Sequence, residues 1–272
     1  MKLTLAALFV ASLLSQPAAA HDFWLQPTRF AVASAAPLKI GFMIGHGNEV
    51  EPWHVTWERL HSLRSYGPAG LTDHQASVVP AATSNPGGAT IALTGPGTHM
   101  VVMESYHSTS NLPAKKFNEY AKLEGLTAAI EHRRRTGASV KPGREVYSRR
   151  AKTLVQVGDA VTDLPLKPIG LTLEIIPERN PYAPASTTML PVRVFFHGRP
   201  LVGALIDLTA LGSGGEPTQS QRTDANGRAT FVIPRIGAWK INTVWARPVE
   251  GRAETDFDTV FASLTFGYST PR

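Results

Sequence analysis

The residues of this chain best placed to do chemistry are its nine histidines, and the first of them is His21. It follows Ala18-Ala19-Ala20, the small-residue end of a stretch with Lys2 as its charged start and an apolar run from Leu3 to Leu14. That pattern is a secretory leader, with cleavage expected after Ala20. A chain starting at His21 offers two nitrogens from one residue, the free α-amine and the imidazole Nδ1. Together they close a chelate ring on a divalent transition ion, and one more histidine completes a T-shaped or square site. A cut one or two residues earlier leaves histidine second or third, where deprotonated backbone amides join amine and ring around Cu(II) or Ni(II). The competing reading is an ordinary histidine that happens to follow the cut.

His46 lies between Gly45 and Gly47. Flanking glycines free the backbone and leave the ring reachable at the end of a predicted strand, so His46 is the second candidate ligand. His99 and His107 are alternatives for a third nitrogen, and His99 completes the expected set of His21, His46 and His99. The two sit eight residues apart on one predicted strand, about 26 Å at strand rise, so they cannot share an ion. His54 and His61 read as surface residues. Met100 and Met103 read as packing. Trp24, Trp53 and Trp57 read as core or contact residues. The chain has no cysteine, which excludes thiolate sites and disulfides and leaves His, Met, Asp, Glu and the amine as donors. The expected cofactor is therefore a divalent transition metal such as copper or nickel.

Other chemistries find no support. There is no Gly-x-Ser-x-Gly elbow, no His-Glu-x-x-His and no phosphate-binding glycine loop before a helix. Glu49 and Glu51 stand on a loop without a partner signal for glycoside hydrolysis.

These residues need a scaffold. Of 272 residues, 43% are hydrophobic and 18% charged, the balance of a globular chain with a real core. After the leader no apolar run approaches the ~18 residues of a membrane span, and the periplasm is the expected location. The net charge of +6 is dispersed except at His132-Arg133-Arg134-Arg135 and Arg149-Arg150, read as solvated surface; no nucleic-acid partner is expected.

Alternation predicts strands over 38–44, 90–94, 98–107 and 144–157, the last with a half-exposed face. Residues 53–63 fit either a helical turn or a twisted strand. Residues 113–135 carry the one helical pattern, two short apolar stripes interrupted at Gly125. Residues 158–170 read as a linker. Beyond it, strands at 171–176, 190–196, 203–210, 231–234, 238–246 and 258–266 follow at the spacing of a sandwich. The 190–196 and 203–210 strands are expected to pair with each other, and Asp224-Ala225-Asn226-Gly227 is a strong turn. The expected fold is mainly β: a leader (1–20) and two β-sandwich domains. The N-terminal domain (21–165) holds one short helical insert. The C-terminal domain (166–272) is immunoglobulin/transthyretin-like.

Five stretches carry a family resemblance: His21-Asp22-Phe23-Trp24-Leu25, Gly143-Arg144-Glu145-Val146-Tyr147-Ser148-Arg149 with Ala151-Lys152, Asn180-Pro181-Tyr182, Gly198-Arg199-Pro200-Leu201-Val202-Gly203-Ala204 and Thr223-Asp224-Ala225-Asn226-Gly227-Arg228-Ala229. They resemble secreted bacterial proteins of unknown function labelled nickel-uptake or cobalt-uptake accessory (NikM-like) proteins. The resemblance implies a periplasmic role in transition-metal handling near a metal permease or a TonB-type receptor. Of the candidate residues, it carries over only His21. The leading expectation is thus a non-enzymatic metal-binding protein. Two alternatives stand beside it: a copper oxidase built on an N-terminal histidine brace, and a β-sandwich module that binds a receptor or cell-wall glycan.

Overall fold

The computed structural model of the chain describes residues 22–33, 36–46, 49–212 and 215–268. The leader and His21 lie outside the described residues. The fold is mainly β. Its principal elements are β1 (Asp22–Pro27), β2 (Leu38–His46), β3 (Glu49–Pro52), β4 (Leu60–Gly67), β5 (Gly97–Ser105), α1 (Ala114–Leu123), α2 (Thr127–Arg135), β6 (Gly143–Val157), β7 (Leu173–Pro177), β8 (Met189–Phe196), β9 (Leu205–Ala210), β10 (Pro217–Arg222), β11 (Arg228–Val232), β12 (Gly237–Pro248) and β13 (Phe257–Tyr268). The undecided 53–63 stretch enters β4 at Leu60.

A ten-stranded sheet runs through the middle, in the order β10–β9–β12–β13–β6–β5–β4 and then the short Gly70–Asp73 strand along its main path. Its two halves, one from each side of the predicted 165/166 boundary, join where β6 and β13 pair in parallel from Glu145↔Phe257 to Thr153↔Thr265. One face of this sheet packs on a four-stranded sheet containing β7, β8 and β11. Met100, Val102, Leu154, Ile241 and Leu264 there meet Leu173, Val192 and Phe231. On the other face lie two neighbours side by side. A five-stranded sheet built on β1, β2 and β3 covers β4, β5 and β6, with Phe23, Leu25 and Phe42 against Val101, Met103 and Val155. The helix pair covers β12 and β13, with Phe117, Tyr120 and Leu126 against Val244, Phe257 and Phe261.

This layering explains the one strand whose exposure the sequence misjudges. The last ten residues of β6, Ser148–Val157, are all buried, because the strand is central and covered on both faces. The polar residues that look half-exposed are internal: Lys152 reaches Glu174 at 3.1 Å with both side chains 1% exposed. The expected pairing of 190–196 with 203–210 does not form either. β8 pairs with β7 and β11, whereas β9 pairs with β10 and β12 in the central sheet. The intervening Leu201 and Ala204 are buried in the shared core, so the chain crosses between layers there. The Asn226-Gly227 turn forms as expected, with Gly227 at φ 71° and Asp224 Oδ1 accepting the amides of Asn226 and Arg228. Among the described residues no helix is long and apolar enough to cross a membrane.

Candidate metal centre

The start of the described chain is buried at the seam between the five-stranded sheet, the helix pair and the central sheet. Strand β1 pairs antiparallel with β2, setting Asp22 opposite Gly45, so His46 at the end of β2 falls beside the first described residue. Gly45 has φ 152°, and a Cβ there would lie 2.1 Å from the Glu49 carbonyl oxygen. Only glycine lets β2 and β3 approach this closely beside His46.

The third element is the break between the helices. In α1 the residues Phe117, Tyr120 and Ala121 form the buried i, i+3, i+4 stripe. The helix ends at Glu124, and the chain turns through Gly125 at φ 61° into α2. Gly125 packs directly on β9: a Cβ there would come within 2.7 Å of Leu205 Cβ. This close approach presses Glu124 into the seam, where it is 5% exposed.

The result is a cluster of Asp22, His46 and Glu124, each offering one ligand-type atom within 4.8 Å of the others. His46 Nε2 stands 3.0 Å from Glu124 Oε1, and His46 Nδ1 stands 3.8 Å from Asp22 Oδ2. The first distance is that of an ion pair, and the Glu124 carboxyl that takes part in it is buried. The central sheet adds three polar side chains. Lys240 Nζ donates to Asp22 Oδ2 at 2.5 Å, Asn242 Nδ2 donates to Asp22 Oδ1 at 2.8 Å, and Asp207 stands nearby on β9. Burial pushes the Glu124 carboxyl up to about 7, with the His46 contact opposing the rise and Asp22 adding to it. Burial also raises Asp207, against a hydrogen bond from Ser220. Desolvation is the main cause at both Glu124 and Asp207, and a cation placed between them would oppose it.

A cavity of about 110 Å³ opens on the cluster, lined by Asp22, His46, Glu124, Asp207 and Glu216 among others. That is room for an ion and a few waters. At metal–N and metal–O distances of about 2.0–2.2 Å, two ligand atoms on one ion lie no more than roughly 4.4 Å apart, so the present spacing needs only slight contraction.

Of the residues expected from sequence, His46 is in this cluster and His21 is the covalent neighbour of Asp22. His99 is elsewhere: it is 2% exposed, its Nε2 lies 2.9 Å from the Gly95 carbonyl, and its ring lies against Gly67. His107 is exposed and outside the cluster. Asp22 and Glu124 were the residues sequence reasoning missed. Asp22 stood in view next to His21. Glu124 stood beside the helix break at Gly125, but no local pattern distinguishes it from a surface acid.

The family model described as a domain of unknown function (DUF4198) matches residues 18–247. The chain belongs to this DUF4198 family. The matched span takes in Asp22, His46, Glu124, Asp207, Lys240 and Asn242, so every residue of the seam lies inside the DUF4198 region. No curated protein matches the chain. Among solved structures it is similar to a biofilm associated protein, BSP domain, at 9% identity and a TM-score of 0.21, covering 92% of this chain and 30% of that one. It is similar also to the D0-D1 domain of intimin, at 12% identity and a TM-score of 0.21, covering 89% of this chain and 97% of that one. The chain thus spans less than a third of the length of the first of these, and neither likeness is close enough to carry an argument about function.

Proposed function

We propose that this DUF4198 protein is an exported, non-enzymatic binder of a divalent transition metal, nickel or cobalt before copper. The α-amine and ring of His21 would act with His46 and Glu124. The observation that carries this reading is the convergence of Asp22, His46 and Glu124 at the residue next to His21, their ligand-type atoms within 4.8 Å of one another. The donor set is nitrogen with carboxylate and no sulfur. It suits Ni(II), Co(II) or Cu(II) and disfavours Cu(I), which prefers soft ligands. Cu(II) binds most N/O sites tightest in vitro, so selection in the periplasm would follow availability and delivery rather than raw affinity. The metal is cargo in this reading, passed toward a permease or taken from a TonB-type receptor.

The test is calorimetric titration of the signal-cleaved protein with Ni(II), Co(II) and Cu(II), beside a form that retains Ala20 before His21. The cleaved form should bind one equivalent, and the extended form should bind at least tenfold more weakly. Equal affinity of the two forms removes His21 from the site. Absence of binding by both rejects the metal reading. Affinity should fall below about pH 6 as imidazole and amine take up protons.

A further inference from the structure

The outer face of the five-stranded sheet carries a depression that the metal reading does not use. Strand alternation turns Leu38, Ile40 and Phe42 of β2 inward, each at most 2% exposed, and leaves Lys39, Gly41 and Met43 on the outer face. The register sets Gln26 of β1 directly across from Gly41, and Thr90 of the Gly88–Ile91 strand directly across from Lys39. Side chains thus surround a position that has none. A groove of about 470 Å³ lies there, with Gln26, Thr28, Lys39, Asn85 and Thr90 among its lining residues. Sites for small molecules are of this size.

A glycine inside a strand weakens it unless a backbone conformation or a close neighbour requires one. Neither requirement holds at Gly41. Its φ is not positive, and a Cβ would meet only the Gln26 carbonyl oxygen and the Met43 sulfur, both at an ordinary 3.5 Å. Gly87, which also lines the groove, is the contrast: its φ is 86°, and a Cβ there would come within 2.6 Å of Val55 Cγ1. The fold needs Gly87. At Gly41 the missing side chain preserves open space above the sheet instead.

We infer that this groove is a binding site for a short neutral oligosaccharide. The lining selects the class. Gln26, Thr28, Asn85 and Thr90 carry amides and hydroxyls, groups that both donate and accept, which matches the mixed donors and acceptors of sugar hydroxyls. A carboxylate or phosphate ligand calls for donors and cations, and Lys39 is the one charged side chain among the described lining residues. An extended peptide is held through a free strand edge or apolar side-chain pockets. The backbone of β2 beneath the groove is already spent on its neighbours: Gly41 pairs with Gln26, Ile40 pairs with Ala89, and the Phe42 carbonyl accepts the Trp53 amide at 2.7 Å. Gln26 Oε1 accepts the Trp24 indole N–H at 2.9 Å, which leaves the Gln26 amide nitrogen for a ligand. Gln26 and Met43 also line a second cavity of about 300 Å³ that continues toward Trp24 and His46. The depression is therefore open at one end and suits a chain-like ligand rather than a compact one.

The test uses metal-free protein, so its outcome is independent of the metal reading. Amide NMR spectra are followed while maltotriose, cellotriose or triacetylchitotriose is added to millimolar concentration, with trigalacturonate and trialanine as the other arms. At least one neutral trisaccharide should shift the Gly41, Gln26 and Thr90 resonances saturably. Gly41→Leu should weaken that binding at least tenfold while keeping or raising Tm, because the new Cβ meets only ordinary contacts. Thr90→Val removes a hydroxyl at constant shape and should weaken binding at least threefold, whereas Lys39→Met should change it less than threefold. No response to any neutral trisaccharide, shifts confined to other residues, or undiminished binding in Gly41→Leu overturns the inference. So does tighter binding of trigalacturonate, which would make the ligand an anion, or of trialanine, which would make it a peptide. Thr90 and Lys39 are exposed, so their variants keep the test decisive where Gly41→Leu fails to fold.

Discussion

Two groups of buried charge sit on opposite faces of the central sheet, and they are built on different plans. On one face Lys152 and Glu174 form a closed pair. Glu174 Oε1 accepts from Lys152 Nζ and the Ile169 amide, and Oε2 accepts from the amides of Gly170 and Leu171. Both side chains are 1% exposed and no acceptor of Glu174 is left over. On the other face Asp22 is equally well held, but among the described residues Asp207 Oδ1 and Asn242 Oδ1 are buried without hydrogen bonds, and the His46 side chain paired with Glu124 is 32% exposed. The first group ties the linker to the sheet and has nothing further to bind. The second carries unmet acceptors and an opening to solvent. The difference teaches that buried charge can close on itself, as at Lys152 and Glu174, or stand beside an opening to solvent, as at His46 and Glu124.

The comparison breaks most sharply at the closed pair. Lys152→Met leaves a buried carboxylate with only backbone donors, and removing one partner of such a pair costs about 3–5 kcal/mol. Differential scanning calorimetry of the metal-free protein should show a Tm fall of roughly 6–20 °C. Lys152→Met combined with Glu174→Gln should recover part of that loss.

At the open group the balance reverses. His46→Ala and Glu124→Gln should each weaken Ni(II) binding at least tenfold by titration calorimetry, about 1.4 kcal/mol or more. The metal-free proteins should meanwhile keep their Tm at neutral pH or gain in it. A Tm collapse in both would make the two charge groups alike and remove the contrast.

A pH series sharpens the same point. Glu124 has its carboxyl raised to about 7 in the folded protein, from an ordinary value near 4.5. The folded state therefore holds this proton more tightly than the unfolded chain. The resulting stability is fully present below about pH 4.5 and is lost as pH rises through about 7. Metal-free Glu124→Gln should accordingly be more stable than wild type at pH 8, on the order of 2–3 kcal/mol by urea titration, with the difference vanishing near pH 5. Bound Ni(II) should erase the difference by stabilising the wild type.

The smallest effects test the rule on a single basic run. Within His132–Arg135, read from sequence as solvated surface, Arg133 is 2% exposed, with Nε on Asn118 Oδ1, a terminal nitrogen on the Lys141 carbonyl and its guanidinium 4.7 Å from the Phe117 ring centre. Arg133→Ala should cost about 2 kcal/mol in urea unfolding. Arg134, its exposed neighbour, should change stability by less than about 0.5 kcal/mol on the same substitution.

Much of the scaffold was legible because local patterns report local structure. Alternation located β2, β5, β6, β12 and β13 to within a few residues, and the interruption at Gly125 is the break between α1 and α2. The Asp224–Arg228 turn followed from its Asn-Gly. What alternation cannot report is which layer a strand joins. That is why the 190–196 and 203–210 strands looked like a hairpin, and why Lys152 and Arg133 looked exposed. For the site, the Gly-His-Gly pattern pointed to His46, which the fold sets beside Asp22 and Glu124. His99, on an equally promising strand, proved to be spent on the Gly95 carbonyl. Glu216 and Glu124 are both acids next to a glycine, and nothing in the sequence says that the second is pressed into the seam.

Residue order alone determined that this chain is mainly β, lacks sulfur ligands from cysteine, and carries His21 directly after Ala18-Ala19-Ala20. Only the tertiary structure decided which side chains stand beside that histidine's neighbour. Asp22, His46, Glu124, Asp207, Lys240 and Asn242 come from four separate strands and the end of a helix. No short-range period relates them; they meet because three layers of apolar surface must close on one another, and the seam is where those layers end.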